Sequence, residues 1–182
     1  NIKILKDKIM VSNQNNTLYF FDKKNGKLLK QIPTEETIIK NHFINNLSTD
    51  GRNTLFYLNS YGTLYSVNID LMKINWFVNL NQNLDLNPSN LFFGNEIVNN
   101  DYNVIISSND NTYVIDIKTG SIIYKINFST TIKPVINNNY VFFVTKNNLL
   151  ISLNLKSGKI LYSYDINKQI AEFLKIKQKN VQ

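Results

Sequence analysis

The chain has 182 residues and a formal net charge of +7, with 43% hydrophobic and 12% aromatic residues. This aromatic content argues against disorder, and the length suits one domain with a substantial core. The sequence contains no cysteine, which excludes disulfides, thiolate metal sites and a cysteine nucleophile. A single histidine, His42, excludes a multi-histidine metal site and is read as an ordinary loop or strand residue.

The basic charge is spread along the chain rather than concentrated. Only Lys175, Lys177 and Lys179 form a local run, and Arg52 is the single arginine. Nucleic-acid surfaces favour clustered cations with arginine forks, so no nucleic-acid partner is predicted. No segment reaches the ~18 apolar residues of a membrane helix. Membrane association is therefore expected only through an anchor absent from this chain, which opens on Asn1 and is expected to be a piece of a longer protein.

Short apolar segments bounded by Asn, Asp, Gly and Ser follow one another along the chain, which is typical of an all-β fold. In chain order, strands are predicted at 8–13, 17–21, 27–32, 38–47, 53–59, 63–67, 73–80, 91–98, 103–108, 112–115, 121–128, 131–136, 140–146, 149–153 and 159–166. Most groups hold four strands, and the first strand of the first group is the least distinct. The final stretch is read as the start of a further unit or as a short, partly helical tail.

The segments repeat a common sequence pattern. Residues 112–124 read TYVIDIKTGSIIY and residues 150–162 read LISLNLKSGKILY. The same pattern is anchored at Asp22, Asn68, Asp116 and Asn154, at intervals of 38 to 48 residues. Strand-only repeats of this period are typical of propeller blades.

The most regular part of the repeat is the turn between two strands. An Asp or Asn side chain accepts hydrogen bonds from N–H groups just ahead of it, and a glycine supplies the positive φ of a bulged hairpin. Gly26, Gly120 and Gly158 take that glycine position. Met72 stands there in the second copy, so that turn must differ or be strained. We therefore expect these residues to be structural turn positions rather than ligand contacts.

Asp116-Ile-Lys-Thr-Gly120 followed by Tyr124 resembles the repeat of pyrroloquinoline-quinone-type propellers. Tyr162 and Trp76 are similar aromatic positions, whereas Lys30 departs from the pattern. Within this class the chain is most similar to the BamB family of outer-membrane assembly lipoproteins. The resemblance implies an eight-bladed scaffold at the periplasmic face of the outer membrane, in the machinery that inserts β-barrel proteins.

The expected architecture follows from the repeat and the resemblance together. It is a β-propeller of about four four-stranded antiparallel blades, forming an open part of a larger seven- or eight-bladed ring. The blades are expected at residues 1–33, 34–81, 82–129 and 130–167, with 168–182 as the start of a further blade or a short tail.

No catalytic, cofactor or metal residues are predicted, because the acidic residues are scattered through turns and no cluster suits a hard cation. Other proteins are the expected partners, bound through loops or strand edges. The long connections 33–45 and 81–90 are candidates, although packing between blades is the favoured role of their apolar residues, Phe43, Leu84, Leu86 and Phe92.

Three alternatives stay open beside the assembly scaffold. The repeat also resembles lumenal stress-sensing domains, in which Asn15, Asn46 and Asn127 would be glycan acceptors. A generic binding propeller is the second. A quinone-dependent dehydrogenase, which would hold its quinone with Ca²⁺, is the third and least favoured.

An open arc leaves one apolar face bare at each end. We expect Ile9 and Val11 on one such face, and Val141, Phe143, Leu149 and Ile151 on the other. Bare apolar faces attract partners, so the chain is expected to self-associate.

Overall fold

A computed structural model of the chain describes residues 2–35, 46–81, 92, 94–108, 110–130 and 132–179. Within these residues, sixteen strands form four antiparallel sheets, and one helix follows the last strand. The bounds are β1 Ile2–Leu5, β2 Lys8–Ser12, β3 Thr17–Asp22, β4 Leu28–Pro33, β5 Asn46–Thr49, β6 Thr54–Leu58, β7 Thr63–Asn68, β8 Lys73–Asn79, β9 Val98–Asn99, β10 Asn103–Ser107, β11 Thr112–Asp116, β12 Ile122–Ile126, β13 Val135–Asn137, β14 Tyr140–Val144, β15 Leu149–Asn154, β16 Ile160–Asp165 and α1 Ile166–Lys179.

Each sheet takes four consecutive strands in sequence order, so we call the sheets blades 1 to 4. The blades are β1–β4, β5–β8, β9–β12 and β13–β16. Consecutive strands pair as antiparallel neighbours, which is the meander expected of a propeller blade. The predicted all-β architecture of four-stranded antiparallel blades is confirmed.

The turn between the third and fourth strands of a blade is closed by its anchor residue. In blade 3, Asp116 Oδ1 accepts hydrogen bonds from Lys118 N (3.0 Å) and Thr119 N (2.7 Å). Gly120 N donates to the Asp116 carbonyl (2.9 Å), and Gly120 has a φ of +76°. Glycine adopts this left-handed conformation without the Cβ clash that other residues meet. The hydrogen bonds from Thr119 are the main reason that the pKa of Asp116 is lowered.

The blades stack face to face, and the alternation of each strand decides which side chains meet. Three buried apolar clusters result, one for each junction between neighbouring blades. Cluster 1 (blades 1 and 2) contains Met10, Leu18, Phe20, Ile32, Leu47, Leu55, Tyr57, Tyr65, Val67 and Ile69. Cluster 2 (blades 2 and 3) contains Phe56, Leu58, Leu64, Leu80, Ile97, Val104, Ile106, Tyr113 and Ile115. Cluster 3 (blades 3 and 4) contains Val98, Ile105, Val114, Val141, Phe143, Ile151, Leu153 and Leu155.

Blades 2 and 3 bury both of their faces, because each supplies residues to two clusters. The first strands of the blades follow one another in space: β1 contacts β5, β5 contacts β9, and β9 contacts β13. Among the described residues, no buried apolar cluster joins blade 4 to blade 1. The four blades therefore form an arc with blades 1 and 4 at its ends.

An aromatic ring from one blade packs on the turn glycine of the next. Trp76 of β8 lies over the blade 3 turn, where a Cβ placed on Gly120 would come within 2.6 Å of the indole ring. The indole nitrogen Nε1 of Trp76 donates to the carbonyl of Ile117 (3.1 Å). Glycine is required here for two reasons, the positive φ and the closeness of the ring.

The same contact recurs one blade further along. A Cβ placed on Gly158 would lie 2.5 Å from the Tyr124 ring, and the Tyr124 hydroxyl donates to the carbonyl of Lys156 (3.0 Å). The rings of Trp76 and Tyr124 occupy equivalent positions, because Trp76 pairs with Ser66 and Tyr124 pairs with Val114 beside the same bulge. We call this contact the ring–glycine contact.

The junction between blades 1 and 2 breaks this pattern at both positions. Lys30 occupies the strand position of the rings, opposite Phe20, and Met72 occupies the position of the glycine. The anchor is kept, since Asn68 Oδ1 accepts from Leu71 N (2.8 Å), but Met72 has a φ of +51°. The Met72 side chain packs against cluster 1. This junction therefore lacks both the ring and the glycine of the ring–glycine contact.

Several details differ from the sequence-based expectations. Predicted strand 91–98 is reduced to β9, Val98–Asn99, in the described residues, and Pro134 lies just before β13 rather than inside it. The first strand of blade 1, which had the weakest signal, is formed as β1. The stretch after β16, for which a further unit or a short, partly helical tail was expected, forms helix α1. Asp165 caps this helix, because its Oδ1 accepts from Lys168 N (3.1 Å).

The prediction of which residues the ends of the arc expose was wrong for blade 4. Val141, Phe143 and Ile151 are buried in cluster 3, and Leu149 packs against it, because this face of blade 4 meets blade 3. The strand period identifies two faces but does not say which one meets the neighbouring blade.

Gly120→Ala and Gly158→Ala should each destabilise the chain by about 1–3 kcal/mol more than Gly26→Ala in urea melts. All three glycines have a positive φ, so all three variants carry a similar backbone cost of about 1–2 kcal/mol. Only at Gly120 and Gly158 does the new methyl group meet a ring, since no described atom lies within 4 Å of a Cβ on Gly26. Equal losses for all three would show that the ring contact contributes nothing.

The effects of Lys30→Tyr and Met72→Gly on the free energy of unfolding should be coupled. Met72→Gly alone relieves the left-handed strain but removes a packed side chain, so the free energy of unfolding should change by less than about 1 kcal/mol. The double variant should be more stable than the sum of the single variants by about 0.5–3 kcal/mol, because it restores a ring on a glycine. A double-mutant cycle from urea melts measures this term, and strict additivity would contradict the account.

Candidate interaction surfaces

The arc has two rims with different contents. The turn rim carries the turns between first and second strands and between third and fourth strands of each blade. The connection rim carries the turns between second and third strands and the segments that join one blade to the next. Loops of these two kinds are where a propeller offers variable surface on a fixed frame.

The seven turn positions predicted from the sequence all lie on the turn rim: Asp22, Gly26, Asn68, Asp116, Gly120, Asn154 and Gly158. Asp22 and Asn154 repeat the bonding of Asp116, each accepting from the N–H groups two and three residues ahead at 2.8–3.1 Å. Their Oδ1 atoms are thus used to close the turns.

On the connection rim, a half-buried carboxylate holds the start of the segment between blades 1 and 2. Glu35 Oε1 accepts from the Thr63 hydroxyl (2.8 Å), and Oε2 accepts from the Tyr65 hydroxyl (2.7 Å) and the Asn59 amide. Burial raises the pKa of Tyr65, and its hydrogen bond to Glu35 adds to the effect. The phenol therefore stays a donor at physiological pH.

A buried asparagine completes this anchor. Asn16 donates through Nδ2 to the Glu35 carbonyl (2.9 Å) and to Ser60 Oγ (2.9 Å), and its Oδ1 accepts from Ser60 N (3.2 Å). Asn16 itself has a φ of +59°, a conformation that asparagine tolerates better than most residues. Turns of two blades and the connection between them are thus tied into one polar network.

Asparagines also fix the later connections. Asn46 Nδ2 donates to the carbonyls of Gly94 (3.0 Å) and Asn95 (2.9 Å). Asn95 Nδ2 in turn donates to the hydroxyl of Thr130 (2.7 Å) and to its carbonyl. Blades 2, 3 and 4 are linked in this way along the connection rim. Long-range amide contacts of this kind, like the Glu35 network, have no local sequence signal and cannot be predicted from the sequence alone.

Of the four apolar residues proposed as contacts in the long connections, only Phe92 lies among the described residues. Phe43, Leu84 and Leu86 lie outside the described residues, as does His42. Phe92 packs against cluster 2 and against Gly62, where an added Cβ would lie 2.7 Å from its ring. Phe92 is therefore a packing residue, the role that the sequence favoured.

The three potential glycan acceptors differ in their exposure to solvent. Asn15 and Asn127 are exposed, whereas Asn46 is buried and uses its amide nitrogen in the two hydrogen bonds to Gly94 and Asn95. A glycan on Asn46 would break these bonds. The set of three acceptors is thus reduced to two accessible ones.

A groove of about 570 Å³ lies on the turn rim between blades 3 and 4. It is lined by Asn99, Asn100, Asp101, Tyr102, Ile136, Asn138, Asn139 and Tyr140. Tyr102 is 71% exposed there. Amides and phenol rings give this groove a hydrogen-bonding character. Its side chains come from turns 38 residues apart, which the sequence alone does not bring together.

The described residues contain no group of three or more His, Asp or Glu side chains that could hold a metal ion. Three acidic side chains instead pair singly with a cation of a neighbouring blade: Asp70 with Lys6 (2.9 Å), Glu96 with Lys133 (3.0 Å) and Asp101 with Arg52. These pairs are exposed and each contributes little to stability. In the same part of the chain, no helix combines the length and the hydropathy of a membrane span.

Comparison with solved structures agrees with the propeller fold. BamB from Moraxella catarrhalis superposes with a TM-score of 0.64 at 13% identity, over 90% of this chain and 48% of that one. Quinohemoprotein alcohol dehydrogenase from Comamonas testosteroni gives 0.69 at 10% identity, over 91% and 34%. The Cps50 (Swd1) propeller domain of Myceliophteria thermophila gives 0.69 at 13% identity, over 91% and 54%.

These identities are low enough that the likeness to each structure concerns the fold alone. The match includes 90% of this chain but only 48% of the BamB chain, so this chain spans about half the length of that protein. No curated protein sequence matches it. The sequence profile of the family described as outer membrane protein assembly factor BamB matches residues 76–181, which is more than half of the chain. The chain therefore belongs to the BamB family of PQQ-type propellers.

Proposed function

We propose that this chain is part of a non-catalytic scaffold that binds other proteins during β-barrel assembly at the periplasmic face of the outer membrane. The observation that carries the proposal is the family match over residues 76–181, since that family is described as an outer-membrane assembly factor. The blades and turns within those residues include both ring–glycine contacts.

The geometry supports a scaffold because the frame is fixed where its loops begin. The Glu35 and Asn16 network holds the start of the first connection. Asn46 and Asn95 hold the roots of the next two. A partner that binds such preordered roots loses little conformational entropy on the scaffold side. This is the property expected of a surface that positions other proteins.

The connection rim is the proposed contact face. It carries the long segments between blades. The alternative contact is the outer edge of each blade, which its fourth strand forms. In every blade the pairing of the fourth strand with the third is interrupted by a bulge, at residues 20–21, 66–67, 114–115 and 152–153 of the third strands. Bulges interrupt the ladder and discourage another strand from pairing. Loop contacts are therefore favoured over addition of a partner strand at the outer edge.

The assembly proposal predicts direct binding to the purified barrel-assembly complex of the source organism, measured by biolayer interferometry. Replacing residues 37–44 and 83–90 with Gly-Ser segments of equal length should weaken binding at least about tenfold, equivalent to about 1.4 kcal/mol. The matched control is Tyr102→Ser on the turn rim, which should bind as the wild-type chain does. Failure of the wild-type chain to bind would contradict the proposed function.

A non-catalytic role also predicts the outcome of a cofactor test, which the likeness to a quinohemoprotein dehydrogenase makes worthwhile. Titration with pyrroloquinoline quinone and Ca²⁺ in a calorimeter should give no saturable heat at micromolar concentrations. An artificial electron acceptor should stay oxidised with alcohols or sugars as substrates. Tight quinone binding with turnover would contradict the non-catalytic role and identify the chain as part of an enzyme.

A further inference from the structure

A side chain of the first turn bridges to the next blade at two of the three junctions. In each blade the second strand begins opposite the anchor residue, so the first turns can be compared position by position. Lys6, Arg52, Asp101 and Asn138 each lie two residues before that point. Lys6 Nζ reaches forward to Asp70 of blade 2 (2.9 Å), and Arg52 reaches forward to Asp101 of blade 3. A cation of one blade thus fills the space beside the next blade at these junctions.

The junction between blades 3 and 4 has no such bridge. Asp101, at the position of the bridging cations, points back to Arg52 of blade 2. Among the described residues, the only hydrogen bond between the two first turns runs from Asn100 Nδ2 to the carbonyl of Asn138, and at 3.4 Å it is long. The side chains of Asn138 and Asn139 make no hydrogen bond to another described residue. The groove of about 570 Å³ lies where the bridge is missing.

Tyr102 gives this groove an aromatic wall. The position just before each second strand is Asp7, Asn53, Tyr102 or Asn139, so blade 3 alone has a ring there. Tyr102 is 71% exposed, and its hydroxyl makes no hydrogen bond to another described residue. A tyrosine in this state offers a ligand a flat apolar face and a polar tip, with few rotatable bonds to immobilise.

The lining of the groove suits a neutral ligand rich in hydroxyl groups. Its amides both donate and accept hydrogen bonds, as a hydroxyl does. No lysine or arginine lines it, so nothing there attracts an anion. Ile136 is the only aliphatic side chain of the lining, and it packs against cluster 3, so the groove lacks an apolar pocket for a peptide side chain. The volume falls within the range of small-molecule sites, roughly 300–1,000 Å³.

We infer that the groove between the first turns of blades 3 and 4 binds a neutral saccharide. A pyranose ring has C–H groups that pack on an aromatic face, and hydroxyls around its rim that both donate and accept hydrogen bonds. Tyr102 takes the face of the sugar, while the amides of Asn138 and Asn139 bind its hydroxyls. This site lies on the turn rim, away from the proposed contact face for assembly proteins, and does not rest on that proposal.

The test is a titration of the isotope-labelled chain with maltotriose, cellotriose and chitotriose, followed by two-dimensional NMR. At least one of these neutral trisaccharides should shift the main-chain amide signals of residues 100–102 and 138–140 saturably, with a dissociation constant in the millimolar range or below. Trigalacturonic acid, an acidic trisaccharide, should bind more weakly, because the groove has a carboxylate and no cation in its lining.

Two substitutions separate the ring from the amides. Tyr102→Ser should raise the dissociation constant at least about tenfold, because it removes the stacking face. Tyr102→Phe should lose less, because the face remains. Asn138→Gly should also weaken binding, since it removes an amide while glycine keeps the φ of +53° that Asn138 has. Both positions are exposed, so these variants should unfold at the same urea concentration as the wild-type chain.

Tyr164→Ser is the matched control. Tyr164 is a second exposed tyrosine (52%), but it lies on β16 and is not part of the groove lining. This variant should bind the trisaccharide as the wild-type chain does. The inference is overturned if none of the three neutral trisaccharides gives saturable shifts, or if the shifts lie away from the two first turns. Equal binding by wild type and Tyr102→Ser, or tighter binding of the acidic trisaccharide, would overturn it as well.

Discussion

The stacking of one blade on the next is the interaction on which this structure depends. A single four-stranded sheet of about thirty residues cannot bury both of its faces, so each blade is completed by its neighbours. Three apolar clusters bury the faces at the three junctions, and a ring–glycine contact is added at two of them. Every surface of functional interest is a consequence of this stacking, because rims, grooves and free faces exist only where blades meet or end.

The glycine turn shows how one sequence feature can satisfy two constraints. An Asp or Asn anchor and a positive φ would already favour glycine at the position four residues after the anchor. The packed ring adds a steric requirement that belongs to the junction and not to the turn. Met72 tests this reading within the molecule itself. A non-glycine residue is found in the left-handed conformation at the one junction where the ring is replaced by Lys30.

The repeat could be read from the sequence because its signals are local. Anchors, glycines and alternating strands lie within about twenty residues of each other, and they predicted four antiparallel blades. What the sequence did not reveal depends on distant pairs. The position of Lys30 relative to the Met72 turn, the donors around Glu35 and the groove beside Tyr102 each involve residues from different turns or blades. The choice of Val141 and Phe143 as bare residues failed for the same reason, since alternation does not assign a face to a neighbour.

Trp76 is the only tryptophan of the chain, and it sits at the junction of blades 2 and 3, so its fluorescence reports the central claim most directly. The measurement is urea unfolding followed in parallel by Trp76 emission and by far-ultraviolet circular dichroism. If the blades complete each other, the two signals should change in one coincident transition, because losing the junction exposes faces that a lone blade cannot protect. A Trp76 transition that is finished while the sheet signal remains intact would contradict the account, since it would show blades that are stable without their neighbours.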